Sequence, residues 1–326
     1  MAVLDTIGNL TSYPQLRPLD IRKDLTRVAD LIELCFASTM DEDGKEYLRQ
    51  MRQAARDAHF LGWAPEAAER VAMPLSGFVW ENEGQLLGNL SLIPMSRQGR
   101  RVYLIANVAV HPDYRRKGIA RALTQTALIH LERRQVGSAW LQVREDNPAA
   151  HNLYLSLGFV ERARRTAWEA YPHAKELLSR SQSSIQITSR QSRDWPFQKT
   201  WLASNYPPEV DWNLNFHINE FKPGFFPDLL HLLDGNSPKH WASRRSGQLT
   251  ALVTWQPTRT FADNLWLAAP YSTDSESLYQ LLTRVLYDLP DRRAVSVNYP
   301  SGLSEDAFIA SGFVNRQTLI WMEAVL

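Results

Sequence analysis

The chain has 326 residues, and at roughly 100–200 residues per domain that length calls for two domains rather than one core. Hydrophobic residues make up 44%, aromatics 10% and charged residues 22%, which excludes a mostly disordered or coiled-coil chain. The formal net charge of +1 leaves no polybasic field for nucleic acid or membrane, and the single cysteine, Cys35, excludes an intrachain disulfide framework and a Cys-based zinc cluster.

In chain order, Leu19–Ile21 reads as a short strand, and Asp24 as the N-cap of a helix carrying Leu25, Val28, Leu31, Ile32, Leu34 and Cys35. A second helix is predicted from Gly44 to about Phe60. The period then changes. Residues 78–81 and 85–93, joined by Asn82-Glu83-Gly84, read as a β-hairpin, and Val102–Val110 as a strong strand. A helix over Ile119–Arg134, a strand over Ala139–Val143, a helix over Pro148–Leu157 and a strand over Phe159–Trp168 follow, with Gly158 at a helix C′ position. Residues 173–184 are polar and read as a linker. After them the order repeats: Ile185–Ile187, Leu249–Trp255, Asn264–Ala268, a helix over Ser277–Leu289 and Ala294–Asn298. Leu155–Val160 matches Ile309–Val314 locally (LSLGFV against IASGFV).

The most informative stretch runs from Val108 to Leu123. A strand ends at His111, Pro112 turns the chain, and a helix starts near Gly118 or Ile119. Free backbone N–H groups at that helix start favour an anion. Gly118 permits close approach, Ala120 is small, and Arg115, Arg116 and Lys117 bring the charge that neutralises a pyrophosphate. A second constellation follows: Asn147 suits an N-cap, Pro148 the first helical position, and Tyr154 lies about two turns in.

These two stretches resemble the GNAT superfamily of acyl-CoA-dependent N-acetyltransferases. Arg115-x-x-Gly118-x-Ala120 is similar to the family's pyrophosphate loop, and Asn147…Ala150…Leu153-Tyr154…Gly158-Phe159 to its second block. The resemblance covers Leu16–Trp168 well and the remainder weakly. It implies an α/β (α+β) fold of two GNAT-like domains, each a mixed, mostly antiparallel sheet flanked by helices. The expected division is a catalytic domain over 1–172, a linker over 173–184 and a degenerate copy over 185–326.

The resemblance further implies acetyl-CoA as co-substrate. Backbone groups of Val108 and Val110 would hold the pantetheine arm and the thioester carbonyl. Amides from Arg116 through Lys117, Gly118 and Ile119 to Ala120 would hold the pyrophosphate, with Arg115 beside them. Asn147 would contact the pantetheine or phosphate region, and Tyr154 would give a proton to the departing thiolate. Related N-terminal acetyltransferases often carry Glu where this chain has Gln142, which cannot accept a proton at neutral pH. The base therefore stays open among Glu81, His111, Glu145 and Asp146 acting through water, or a water chain held by backbone carbonyls.

In the second half Thr273, Glu276 and Leu278 stand opposite Arg115, Gly118 and Ala120, in a turn made acidic by Asp274 and Glu276, and Phe308 stands opposite Tyr154, so that copy is not expected to bind CoA in the usual way. Its tryptophans read as packing, and residues 201–226 as an irregular segment facing the acceptor. His173/Glu176 and His217/Glu220 lack a further histidine close by, so no metal is expected. The dispersed arginine pairs give no nucleic-acid stripe. Residues 1–14 lack the pattern of a secretory signal, and no apolar run reaches the roughly 18–20 residues of a membrane span. The combined expectation is a cytoplasmic, monomeric or homodimeric N-acetyltransferase acting on a small-molecule or peptide amine, with a catalytically silent acyl-CoA-binding sensor or scaffold as the alternative.

Overall fold

A computed structural model describes residues 13–67, 73–172, 184–214, 216–223, 238–289 and 293–326. The chain divides into two units. The first takes the described residues up to Val143, with Asn147–Glu161 and Met322–Leu326; the second takes Arg144–Asp146 and the described residues of Arg162–Trp321. The linker reading over 173–184 falls almost wholly outside the described residues.

In the first unit the strands run in the order β1 (Leu16–Pro18), β2 (Ser76–Asn82), β3 (Gln85–Arg97), β4 (Arg100–Val110) and β5 (Ser138–Arg144). All neighbours are antiparallel except β4 and β5, which are parallel. Adjacent residues of a strand face opposite ways, and β2 shows it: Val79 joins the core under α1 (Ile21–Phe36) and α2 (Glu42–Ala54), while Phe78 meets His130 of α4 (Ile119–Arg133) edge-on at 5.4 Å. The α4 face needs a glycine. A Cβ at Gly88 would lie 2.8 Å from Ile119 Cγ2 and 3.0 Å from Leu123 Cδ1.

Two predicted elements shift. The first helix is capped by Asp20, whose side chain accepts from the Arg22 N–H, because Asp24 is drawn inside. Asp24 is fully buried, bound by two bonds from Arg17 at 2.6 and 2.8 Å and by the Asp20 N–H at 2.9 Å. Burial pushes that carboxyl up, but Arg17 and the Asp20 amide outweigh it and hold the carboxyl below its usual range. The pair therefore stabilises above pH 3.8 and is lost as pH falls through the lower folded value. Asp24→Asn is expected to cost about 2 kcal/mol at neutral pH, discounted because Arg17 is partly exposed; urea unfolding measures it. The second predicted helix is two, α2 and α3 (Ala58–Ala67), the break falling where Asp57 Oδ1 accepts from the His59 and Phe60 amides.

The first unit also holds α5 (Pro148–Ser156). Leu157 caps it, and Gly158 follows at φ 88°, with the Phe159 N–H donating to Tyr154 O at 3.1 Å.

The second unit repeats the order. β7 (Ile185–Ser189), α6 (Trp195–Asn205), β8 (Lys239–Arg245), β9 (Gln248–Gln256), β10 (Ala262–Ala268), α7 (Ser275–Asp288), β11 (Ala294–Pro300), α8 (Glu305–Ala310) and β12 (Val314–Val325) follow one another. Its β7–β10 are antiparallel and β10–β11 parallel, as in the first unit. Leu278, Leu281, Leu282 and Val285 of α7 pack on one face of the sheet, and Tyr206, Phe216 and Trp266 cluster on the other. Most of the late tryptophans are thus packing residues. The segment read as irregular from 201 is helical to Asn205 and then makes 3-10 turns at Asp211–Asn213 and Ile218–Phe221; Phe225 and Phe226 lie outside the described residues.

The last strand of each half departs from the expected division. β6 (Val160–Ala170), expected to close the first domain, pairs antiparallel with β11, and Trp168 stacks on Phe308 at 5.0 Å. Trp168 and Ala170 are 2% and 3% exposed in the second unit's core. Conversely, Met322–Leu326 count with the first unit, where Arg97 reaches Glu323 and the Leu326 N–H donates to Gly137 O. No helix among the described residues is long and apolar enough to cross a membrane.

Candidate active site

Parallel β4 and β5 end at the same sheet edge, so the loop after β4 and the start of α5 leave from one side. The two strands pair only over Tyr103↔Ala139, Leu104↔Trp140 and Ile105↔Leu141, yet continue to Val110 and Arg144. Past Ile105 they part, and ligands of such sheets bind outside the carboxyl ends where strands diverge.

A β-bulge sharpens the divergence. On β3 only Leu90 separates Asn89 from Ser91, while Asn107 and Val108 separate their partners Ala109 and Ala106. Asn107 takes φ 52° there. The His111 N–H donates to Leu87 O on β3, so the Val110 N–H, one residue back, faces the gap. Val110 O is taken by Cys35 Sγ at 3.2 Å and Arg115 Nε at 3.3 Å. Cys35 is half-buried and its thiol is pushed up by burial, as suits packing.

The loop itself is built from a 3-10 turn, Pro112–Tyr114, and two left-handed residues, Arg116 at φ 63° and Gly118 at φ 82°. Gly118 is the N-cap of α4 and has no side chain to cap it; the first intrahelical bond is from Ala122 N–H to Gly118 O. The amides of Ile119, Ala120 and Arg121 thus have no side-chain acceptor at the positive end of a four-turn helix. A Cβ at Gly118 would meet nothing within 4 Å, so the space over those amides is open. Arg115, Arg116 and Lys117 are exposed, and none is paired with a carboxylate among the described residues; Lys117 Nζ sits 4.5 Å over the Tyr114 ring. This donor set fits a diphosphate.

From the other strand, Asn147 caps α5, its Oδ1 accepting from the Ala150 N–H at 3.1 Å, and its amide NH2 has no partner among the described residues. Tyr154 is 6% exposed, edge-on to Phe159 at 5.8 Å, and its hydroxyl makes no hydrogen bond among the described residues. Burial pushes its phenol up to about 12, so it holds its proton at physiological pH.

The base candidates are mostly spent. Glu81 is held low by bonds from Arg17 and Arg27. Asp146 is held low by Arg144, and Glu145 pairs with Arg164. His111 accepts from the Asp113 N–H and lines a cavity of about 490 Å³ with Leu31, Leu34 and Leu86. Gln142 on β5 is half-buried.

Sequence reasoning missed a polar cluster at the bulge. Asn107 Nδ2 donates to the Tyr47 hydroxyl at 2.9 Å, and Asn89 Nδ2 to Asn107 O at 2.9 Å, with Ser91 Oγ between them at 3.4 Å from each. Asn89 is fully buried and its Oδ1 has no partner among the described residues. The available signal was polarity inside a strand: Asn89 and Ser91 sit in an otherwise apolar run, where buried polar groups need partners. Tyr47→Phe leaves Asn107 Nδ2 only the longer bond to Ser91 Oγ and is expected to lower stability by about 1 kcal/mol, measured by urea unfolding.

Residues 35–159 match the model of the acetyltransferase (GNAT) family. The [Ribosomal protein bS18]-alanine N-acetyltransferase of Salmonella typhimurium is 35% identical over 123 residues, covering 33% of this chain and 82% of that enzyme. The enzyme of the same name from Escherichia coli K12 is 53% identical over 55 residues; that match covers 17% of this chain and spans 37% of the enzyme's length. Over the whole fold, a GCN5-related N-acetyltransferase from Sphaerobacter thermophilus covers 96% of both chains at a TM-score of 0.57 and 15% identity, a likeness of fold alone.

Proposed function

The chain belongs to the acetyltransferase (GNAT) family, and from that premise we propose that its first unit binds acetyl-CoA and passes the acyl group to a primary amine by direct attack in a ternary complex. One observation carries this reading: three exposed cations with no carboxylate partner among the described residues, and an uncapped helix start, sit at the edge where β4 and β5 part. The co-substrate supplies an acyl thioester.

The chain's own groups do the rest. The amides from Arg116 to Ala120, with Arg115 and Lys117, hold the pyrophosphate. The Val110 N–H and the backbone at Val108 hold the pantetheine arm and offer a donor to the oxygen that gains charge. Asn147 offers its amide NH2 to the same arm. Tyr154 keeps its proton until the thiolate departs and then gives it up. With Glu81, Glu145 and Asp146 tied to arginines, the amine's proton leaves through water, to His111 or to bulk solvent. The second unit, with an acidic turn where the first has Arg115–Ala120, is a degenerate copy.

The acceptor is a small-molecule amine or a peptide amine. Free-thiol release by the full chain, with acetyl-CoA and a panel of primary amines, tests the reading; the expected result is release that depends on one amine class. A second reading, an acyl-CoA-binding sensor without turnover, draws support from Gln142. It gains if CoA binds and no amine releases thiol.

A further inference from the structure

The second unit has a strand gap of its own, filled by its own side chains. β10 pairs with β11 only from Ala262↔Ala294 to Asn264↔Ser296, yet the strands run on to Ala268 and Pro300. The β10 amides that face β11 beyond that point need other acceptors. The end of α6 supplies them. The Leu267 N–H donates to the Tyr206 hydroxyl at 3.2 Å, and the Ala269 N–H to Asn205 Oδ1 at 3.0 Å. These are the donors with which a pantetheine arm would have to pair, and they are taken.

β6 adds a cation to the same place. Arg165 is 2% exposed and donates to Asn205 O at 2.8 Å, to Asn298 O at 2.7 Å and to Asn298 Oδ1, with its guanidinium 5.0 Å from the Tyr206 ring centre. All three acceptors are neutral, and no carboxylate pairs with Arg165 among the described residues. Burial pushes the guanidinium down, to about 10, against the opposing pull of Tyr206, Tyr299 and Tyr271. The acid of the β10–α7 turn, Asp274, caps α7 through the Ser277 N–H and pairs with Arg245.

Two kinds of donor remain. A guanidinium has five N–H groups and three bonds use three of them. Asn205, whose backbone O takes one of those bonds, has its Nδ2 buried with no hydrogen-bond partner among the described residues, in a residue with no exposed surface. Tyr271, 60% exposed, donates its hydroxyl to Ser204 O, and Ser204, next to Asn205 in the chain, is itself exposed. A buried charge without a counter-charge, beside an unpaired amide donor, is a costly arrangement that an anion relieves.

We propose that this place in the second unit binds a small carboxylate, one oxygen on the free guanidinium N–H groups of Arg165 and the other on Asn205 Nδ2. A planar two-oxygen anion suits a guanidinium fork flanked by an amide better than a spherical ion does. The second unit is then a binding module for a small organic acid.

Calorimetric titration of the full chain with sodium acetate, against sodium chloride at equal ionic strength, tests this. Asn205→Asp is the decisive variant, because it keeps the acceptor for the Ala269 N–H and supplies the missing negative charge itself. The wild type is expected to give saturable acetate heats that chloride does not. Asn205→Asp is expected to bind acetate at least about tenfold more weakly and to unfold at a higher temperature without acetate. Absent acetate heats in the wild type make Arg165 a structural plug neutralised by carbonyl dipoles. Unchanged acetate affinity in Asn205→Asp puts the anion elsewhere. Either result overturns the proposal, and the wild-type titration decides even where the variant fails to fold.

Discussion

Gly118→Glu is expected to lose CoA binding by about a thousandfold or more while the chain stays folded. The physical case is electrostatic. Gly118 caps α4 at φ 82°, and a side chain added there enters open space, so no packed neighbour is displaced. The left-handed backbone costs a non-glycine residue roughly 1–2 kcal/mol, too little to unfold the unit. The new carboxylate lies over the amides that offer the anion its donors. At an effective dielectric of about 20, one charge at about 4 Å costs about 4 kcal/mol against each phosphate charge, which is about a thousandfold in affinity. Gly118→Asn separates the causes: asparagine tolerates the same backbone and carries no charge, so it is expected to bind within about tenfold of wild type. Calorimetric titration with CoA, alongside thermal unfolding, reads both variants. Wild-type affinity in Gly118→Glu would move the cofactor away from this loop.

Tyr154→Phe is expected to lower amine-dependent thiol release by about 10²–10³-fold, the range for a lost general acid, with CoA affinity within a few-fold of wild type. The hydroxyl has no hydrogen-bond partner among the described residues, so removing it breaks none of their bonds and the fold should be unaffected. The pH profile carries a second test. Burial raises the phenol from 10.0 to about 12, so the acid form persists above the ordinary phenol value. Turnover in the wild type should therefore show no loss from this group up to about pH 10, and should fall only as pH approaches 12. The same raised value means that Tyr154 contributes its stability below pH 10 and loses it between pH 10 and 12. Unchanged turnover in Tyr154→Phe removes the residue from the reaction.

Much of this was legible because it is written locally. The loop from His111 to Ala120 and the α5 cap at Asn147 depend on residues within a few positions of one another, and both appear where turn and capping chemistry put them. Gly158 at φ 88° and the hairpin turn at Glu83-Gly84 are of the same kind. Asp24 misled because a carboxylate near a helix start has two fates, and the choice was made by Arg17, whose position follows from β1 pairing with β2. The base candidates misled similarly: Glu81, Glu145 and Asp146 are acids in the sequence and become arginine partners in the fold.

The sequence by itself determined the element types, the repeat of their order, the basic glycine loop and the tyrosine two turns into α5, because periodicity, capping and turn geometry act over distances of one to four residues. Tertiary structure alone decided five things. It sent β6 to β11 and the chain's last residues to the first unit. It opened β4 from β5 past Ile105, gathered Asn89, Ser91, Asn107 and Tyr47 at the bulge, and set Arg165 with Asn205 in the second gap. Strand partners are chosen by which exposed apolar face remains to be covered, and Trp168 covers the second unit's core from a position that reads along the chain as the end of the first domain. Whether a buried polar group is a cap, a pair or an open donor depends on what that pairing brings beside it, so the chemistry of both gaps was settled only when the strands had found their neighbours.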